Sequence, residues 1–218
     1  VTVMPPDLRF AAERAKGFMP SAEGQALFEI GCAYASLGPL CEIGTYCGKS
    51  AIYLGAAARL AGSVLFTVDH HRGSEEIQPG WAHHDPALMD PRVGKMDSLP
   101  FFRQTIAAAG LEEQVIAVVG PSATVSRYWN TPLALLFIDG GHSDDPVTRD
   151  YEGWSPHILP GGVLIFHDIY PNPADGGQAP YRVYQRALSS GDFVEVRTEG
   201  SLRALERQVS PRRTNADS

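Results

Sequence analysis

The chain has 218 residues, with 18 Lys and Arg against 25 Asp and Glu, a formal charge of −7. That length suits one sizeable α/β core and leaves little room for a second catalytic domain. The acidic balance repels nucleic acid, and no apolar run approaches the roughly 18 to 20 residues that cross a bilayer, so neither nucleic acid nor a membrane is an expected partner.

Residues 1–209 are expected to form one domain. The polar stretch Ser210 to Ser218, which carries the basic pair Arg212-Arg213, reads as a flexible tail. Val1 to Phe10 lack the basic start and apolar centre of a signal peptide. Three cysteines, Cys32, Cys41 and Cys47, sit in apolar or glycine-rich surroundings, which points to a reduced, cytoplasmic protein. The spacing of Cys41 and Cys47 matches no zinc pattern.

In chain order, Gly38 to Ile43 reads as a strand, followed by a glycine turn and a small-residue helix over Ser50 to Leu60. Val64 to Val68 is a second strand ending at Asp69. Pro100 to Ala109 is helical and closed by Gly110, Gln114 to Val119 is a third strand, and Leu133 to Ile138 is a fully apolar fourth ending at Asp139. Gly162 to Phe166 is a fifth, ending at His167-Asp168. Continuous Val/Ile/Leu runs alternating with helix-length segments predict a parallel sheet covered on both faces. Phe193 to Thr198 and Leu202 to Leu205 read as a hairpin across Glu199-Gly200 that adds antiparallel strands at an edge. Two long irregular stretches, His70 to Ser98 (with Trp81, His83 and His84) and Ile169 to Pro180, read as lids above the strand ends. Asp144, Asp145 and Asp150 are expected around a helix start. In open parallel sheets ligands bind beyond the carboxyl ends of the strands, so Glu42, Asp69, Asp139 and Asp168 should converge there.

Glu42-Ile43-Gly44-Thr45-Tyr46-Cys47-Gly48-Lys49-Ser50 joins the first strand to the first helix of that pattern. Its glycines permit a tight turn and close approach of a ligand to backbone N–H groups. The spacing G-x-x-x-G is neither a dinucleotide fingerprint nor a phosphate-binding P-loop. An acidic residue in the turn disfavours polyphosphate and suits a cationic ligand. Asp69 is placed to accept hydrogen bonds from a ribose diol.

The stretch SAEGQALFEIGCAYASLGPLCEIGTYCGKSAIYL, Ser21 to Leu54, resembles catechol O-methyltransferase-type class I methyltransferases dependent on S-adenosylmethionine (SAM). The pattern A-x-G-Q, a helix, then E-[IL]-G-x-Y-x-G-x-S is present. The resemblance implies a Rossmann-like fold with a mostly parallel seven-stranded sheet, helices on both faces and an antiparallel edge hairpin. It implies SAM binding by Glu42, Gly44, Thr45, Tyr46, Gly48 and Ser50, with ribose recognition by Asp69. His70 would flank the adenine, Ser122 in Gly120-Pro121-Ser122 would meet its edge, and Gly17 to Met19 would close over the methionine end.

The stretch Leu136 to Tyr170 carries the second half of the chemistry. Asp139 and Asp168 at neighbouring strand ends suit Mg²⁺, which would lower the pKa of a bound hydroxyl. His142, three residues beyond Asp139, is the candidate general base, with an unperturbed pKa of about 6.5. Asp139 is counted with both the cofactor and the metal. The catechol enzymes have a lysine where His142 stands, and D-G-G-H is closer to sugar O-methyltransferases, such as those of macrolide antibiotic pathways and the small actinobacterial ones acting on methylmannose polysaccharides. Those enzymes have an acidic pair where His167-Asp168 stands, and Ile169 replaces the catechol enzymes' asparagine. The third metal ligand is thus His167 or water, and a histidine-containing site could prefer Mn²⁺ or another transition metal.

The expected activity is metal-assisted methyl transfer from SAM to a hydroxyl of a sugar, an oligosaccharide or a glycosylated small molecule. A catechol-like acceptor is the nearest alternative. A metallohydrolase built on Asp139, His142, His167 and Asp168, or a non-catalytic SAM-binding protein, are the others. The N-terminal segment and the edge hairpin are candidate homodimer surfaces.

Overall fold

The structure is a computed structural model and describes residues 2–78, 80 and 84–209. Trp81, His83 and the tail from Ser210 lie outside the described residues. Nine strands and seven α-helices are described, in the order α1 (Pro6–Arg14), α2 (Ser21–Tyr34), β1 (Leu40–Ile43), α3 (Lys49–Ala61), β2 (Leu65–Asp69), β3 (Met89–Asp90), β4 (Lys95–Met96), α4 (Leu99–Ala108), β5 (Val115–Val119), α5 (Ser122–Ser126), β6 (Leu133–Ile138), α6 (Asp144–Trp154), β7 (Ile158–Phe166), α7 (Ala179–Ser189), β8 (Phe193–Glu199) and β9 (Leu202–Arg207).

Seven strands form one sheet in the order β5-β2-β1-β6-β7-β9-β8. β1 pairs in parallel with β2 and β6, and β6 in parallel with β7, while β9 runs antiparallel to both β7 and β8. The expected architecture is therefore present, edge hairpin included. The chain builds outward from β1 on one side and then returns to lay β6 on the other, so the strand order reverses beside β1, where open α/β sheets form a crevice.

Both faces of the sheet are covered, which explains the unbroken apolar strands. On β6, Leu135 and Phe137 enter the core beneath α2 and α3, while Leu136 and Ile138 enter the one beneath α6 and α7. Val163 and Ile165 alternate with Leu164 and Phe166 in the same way on β7. With every side chain buried, the two-residue period of a strand leaves no trace in the hydropathy. Helix α3 is buried on all sides from Ser50 to Ala58, and five of those nine residues are Ala or Gly.

The segment between β2 and α4 is less irregular than expected. It contains the two-stranded sheet of β3 and β4 and short 3-10 turns at Glu75–Ile77 and Pro86–Leu88. Two-residue strands are too short to show a period, so sequence patterning could not find them. Leu88 and Met96 bury themselves against Cys47, which anchors this segment on the glycine turn. Lys16 pairs with Asp85 from the other side.

Candidate functional site

Register brings the chemistry to one edge. Ile43 lies opposite Val68 and Ile138, and Ile138 opposite Phe166. The residues that follow, Gly44, Asp69, Asp139 and His167-Asp168, thus emerge side by side at the carboxyl ends of four adjacent strands. They open into a cleft of about 900 Å³. Of the residues expected to hold a cofactor, Gly17, Met19, Gly44, Thr45, Tyr46, Ser50, Asp69, His70, Ser122 and Asp139 all line it. So do His142, His167 and Asp168.

Glu42 and Gly48 do not reach the cleft wall. Gly48 is the N-cap of α3, at φ 90°, a conformation that favours glycine. Gly44, at φ 87°, turns directly against the backbone of Asp139 and Gly140, and a Cβ there would overlap the Asp139 carbonyl. This contact joins the cofactor turn to the strand end that bears the first metal candidate.

Glu42 follows Leu40 in the two-residue alternation of β1 and so faces α3. It is 0% exposed, and neither carboxylate oxygen has a well-formed hydrogen bond, only the Ser50 and Thr45 hydroxyls lying close. Burial raises its pKa to about 8, with Asp139 and Asp69 adding to the effect and the nearby Ser50 and Thr45 hydroxyls opposing it. A buried, unsatisfied carboxylate costs several kcal/mol unless a donor or cation meets it. Glu42 is therefore suited to a cationic group entering beside Thr45 and Ser50.

Asp69 organises the turn as well as facing the cleft. Its Oδ2 accepts from the backbone N–H groups of Thr45 and Tyr46, each at 2.9 Å, and Oδ1 accepts from His71 N at 2.7 Å. Tyr46 and His71 are both held at positive φ, 49° and 56°, and these hydrogen bonds stabilise that strained backbone. His70 is half-exposed beside Asp69. His71, which sequence reasoning passed over, is buried at 3% exposure and its Nδ1 lies 2.8 Å from Ser98 Oγ. Burial lowers its pKa, and its role is to tie the turn to the start of α4.

At the far end, Ser122 begins α5 and donates its hydroxyl to Asp150. The helix-start expectation holds for Asp144 and Asp145, in the first turn of α6. Asp150 lies further along that helix, 6% exposed, with burial raising its pKa to about 6 and the Ser122 hydroxyl opposing the rise. Asp150 tilts inward because α6 is amphipathic, and Val147, Tyr151 and Trp154 bury the same face.

Asp139, His142 and Asp168 offer ligand atoms that all lie within 4.8 Å of one another. Two carboxylates suit Mg²⁺ or Mn²⁺, and an imidazole in the donor set would favour Mn²⁺ or another transition metal. His142 Nε2 lies 3.0 Å from Asp168 Oδ2, and Tyr170 donates its hydroxyl to Asp168 Oδ1 at 2.9 Å. Asp168 has φ 55°, a position aspartate tolerates better than most residues. Burial works against its charge, but hydrogen bonds from His142 and His167 hold its pKa well below the usual carboxylate range.

His167 is occupied differently from the expected third ligand. Its Nδ1 lies 3.1 Å from Asp139 Oδ1 and its Nε2 2.6 Å from Glu23 Oε2. Burial depresses the imidazolium, yet the surrounding carboxylates, Asp139 foremost, raise its pKa far above the ordinary histidine value. Glu23 was invisible to sequence reasoning as a site residue. Its only signal was a charge on the otherwise apolar face of α2, within the A-x-G-Q element.

A methyltransferase-domain family model matches residues 41–169, more than half of the chain and the span that contains the whole row of strand ends. The chain belongs to the methyltransferase-domain family. Among solved structures, this methyltransferase is similar to cofactor-bound Rv0187 from MTB, with a TM-score of 0.63 and 18% identity over 93% of this chain and 87% of that one. It is similar to the O-methyltransferase from Bacillus cereus in complex with SAH (TM-score 0.61, 18% identity, 92% and 87% covered). The O-methyltransferase NovP gives a TM-score of 0.63 at 18% identity, with 85% and 80% covered. The methyltransferase thus has the fold of the SAM-dependent O-methyltransferases. Among the described residues no helix is long and apolar enough to cross a membrane.

Proposed function

We propose that the methyltransferase transfers a methyl group from SAM to a hydroxyl of a sugar or glycosylated small molecule, assisted by a divalent cation. The observation that carries this reading is the polarity of one cleft. The unsatisfied Glu42 carboxylate stands behind its wall near Thr45 and Ser50, and the Asp139–His142–Asp168 cluster stands on the wall itself.

Glu42, behind the wall formed by Thr45 and Ser50, offers its buried charge to the ammonium of the methionine portion across that wall. Asp69 faces the ribose, and Ser122 with Asp150 borders the adenine. Asp139 and Asp168 hold Mg²⁺ or Mn²⁺, which when bound would draw charge from the acceptor oxygen and favour its deprotonation. His142, oriented by Asp168, takes the hydroxyl proton. Methyl transfer from a sulfonium to an oxyanion is an in-line displacement, so the chain's remaining task is positioning.

Polar residues of the cleft support a polyol reading. Glu75, Asp145, Arg149 and Asp175 line it together with Tyr170 and His142, offering donors and acceptors to several hydroxyls. A catechol acceptor would instead need an apolar slot for its ring. The test is transfer from labelled SAM to a panel of sugars, glycosides and catechols, with and without Mg²⁺. Undiminished transfer after chelation would remove the metal from the reading, and exclusive methylation of catechols would remove the sugar.

A further inference from the structure

Behind the metal candidates lies a buried ion pair with no direct part in moving the methyl group. Glu23 near the start of α2 and His167 at the end of β7 are each 5% exposed. Glu23 Oε1 accepts from the backbone N–H of Ser201, in the turn between β8 and β9, at 2.6 Å. Its Oε2 meets His167 Nε2 at 2.6 Å, and His167 Nδ1 faces Asp139 Oδ1 at 3.1 Å and Asp168 Oδ2 at 3.5 Å. A ring nitrogen facing a carboxylate donates, and with both nitrogens so faced the ring carries a proton on each.

The fold makes room for this contact. Gly200 has φ 53°, and a Cβ there would fall on the Glu23 carboxylate. Gly24 likewise sits where a Cβ would overlap the Tyr53 ring. The two glycines let α2, α3 and the edge turn close around one carboxylate.

Stability alone is a weak reason for such a pair. Burying two charges costs about as much as their attraction returns, and apolar residues of similar volume often serve as well. Orientation is a better reason, because side chains that hydrogen-bond to ligating groups fix which lone pairs remain for the ion.

We propose that the Glu23–His167 pair is a positioning unit for the cation site. It commits Asp139 Oδ1, leaves Asp139 Oδ2 for the cleft, and holds the Asp139 and Asp168 side chains in place from behind. His167 then acts as a support of the ligands, and the carboxylates facing the cleft as donors are Asp139 and Asp168, with His142 held beside them by Asp168. This rests on the metal-assisted reading above.

The experiment titrates Mn²⁺ into the full chain, with S-adenosylhomocysteine bound, for the wild type, Glu23→Gln and Glu23→Ala. Melting temperature and S-adenosylhomocysteine affinity are measured beside it. The wild type should bind Mn²⁺, and Glu23→Ala should bind it about 10-fold more weakly or worse, in the range typical for lost partners of metal ligands. Glu23→Gln, which keeps the shape and one acceptor, should fall between them, with S-adenosylhomocysteine affinity within about twofold throughout. If Glu23→Ala fails to fold, the isosteric Glu23→Gln carries the comparison. Mn²⁺ affinity unchanged in a variant whose melting temperature drops would overturn the proposal, making the pair a pin for the hairpin only. A parallel loss of both ligands would also overturn it, as general damage to the cleft. A wild type that binds no divalent cation would refute the metal reading itself, and the positioning role with it.

Discussion

Glu42→Gln tests the cationic-ligand reading most directly. In the free protein the ordinary glutamate pKa of 4.5 moves to about 8. At about 1.4 kcal/mol per tenfold, that gap corresponds to roughly 5 kcal/mol of discrimination against the buried anion, an order-of-magnitude figure. The sign follows from proton counting. Between pH 4.5 and 8 the folded chain holds a proton that the unfolded chain has released. This group's contribution therefore favours folding most below pH 4.5, declines as pH rises, and levels off above pH 8. Glutamine carries no such cost, so Glu42→Gln should stabilise the ligand-free protein above pH 8 by several kcal/mol, on the order of 3 to 5, and by little near pH 4.5.

Ligand binding should show the converse. An ammonium that meets an ionised Glu42 must expel its proton at neutral pH. S-adenosylhomocysteine affinity should then rise about tenfold per pH unit up to pH 8, with about one proton released at pH 7. Calorimetry in buffers of differing ionisation enthalpy counts that proton, and Glu42→Gln should abolish both the proton release and most of the affinity. Affinity independent of pH between 6.5 and 8.5, or a Glu42→Gln protein less stable than wild type at high pH, would refute the reasoning.

Further expectations concern the other walls of the cleft. Gly44→Ala should lower the melting temperature and weaken S-adenosylhomocysteine binding together, since its Cβ would strike the Asp139 backbone at a positive φ; denaturation costing under about 1 kcal/mol would contradict this. Asp69→Asn should weaken S-adenosylhomocysteine binding about tenfold or more, because one carboxylate gathers three backbone donors; calorimetry reads it. Asp150→Asn should gain stability relative to wild type as pH rises from about 4 toward 6, by about 2 kcal/mol, because the wild-type carboxyl holds its proton up to about 6. Urea denaturation at pH 4 and 6 measures that difference, and a constant difference would show Asp150 is not protonated by burial. His142→Ala should lose about 10²-fold or more of turnover, while S-adenosylhomocysteine affinity stays within about threefold. Turnover that survives would assign the proton to another group.

Much of the fold was legible because parallel strands buried on both faces leave long apolar runs that end abruptly in polar residues. Leu133–Ile138 shows this best, since its bounds were readable to the residue. β3 and β4 were not legible, being too short to have a pattern. Helix α1 gave no clear signal either, since it buries only Leu8 and Ala12 and leaves Phe10 exposed among its charged residues. Spacing placed Asp69, Asp139 and Asp168 at strand ends and parallel register did the rest, whereas Glu42 stays inside β1 and does not join them at the cleft.

Other features depended on contacts between distant parts of the chain. Glu23 and His167 are 144 positions apart, and nothing local to either marks them as partners. Asp150 read as a helix-start carboxylate until α6 docked and turned it toward Ser122. The sequence alone determined the alternation of buried strands with helices, the glycine turn and the order of acidic strand ends, because those depend on residue type and spacing along the chain. Only the tertiary structure decided which of those acids would be satisfied, which left bare and which paired with a histidine, because burial and hydrogen bonding are set by whatever the fold packs against each carboxylate.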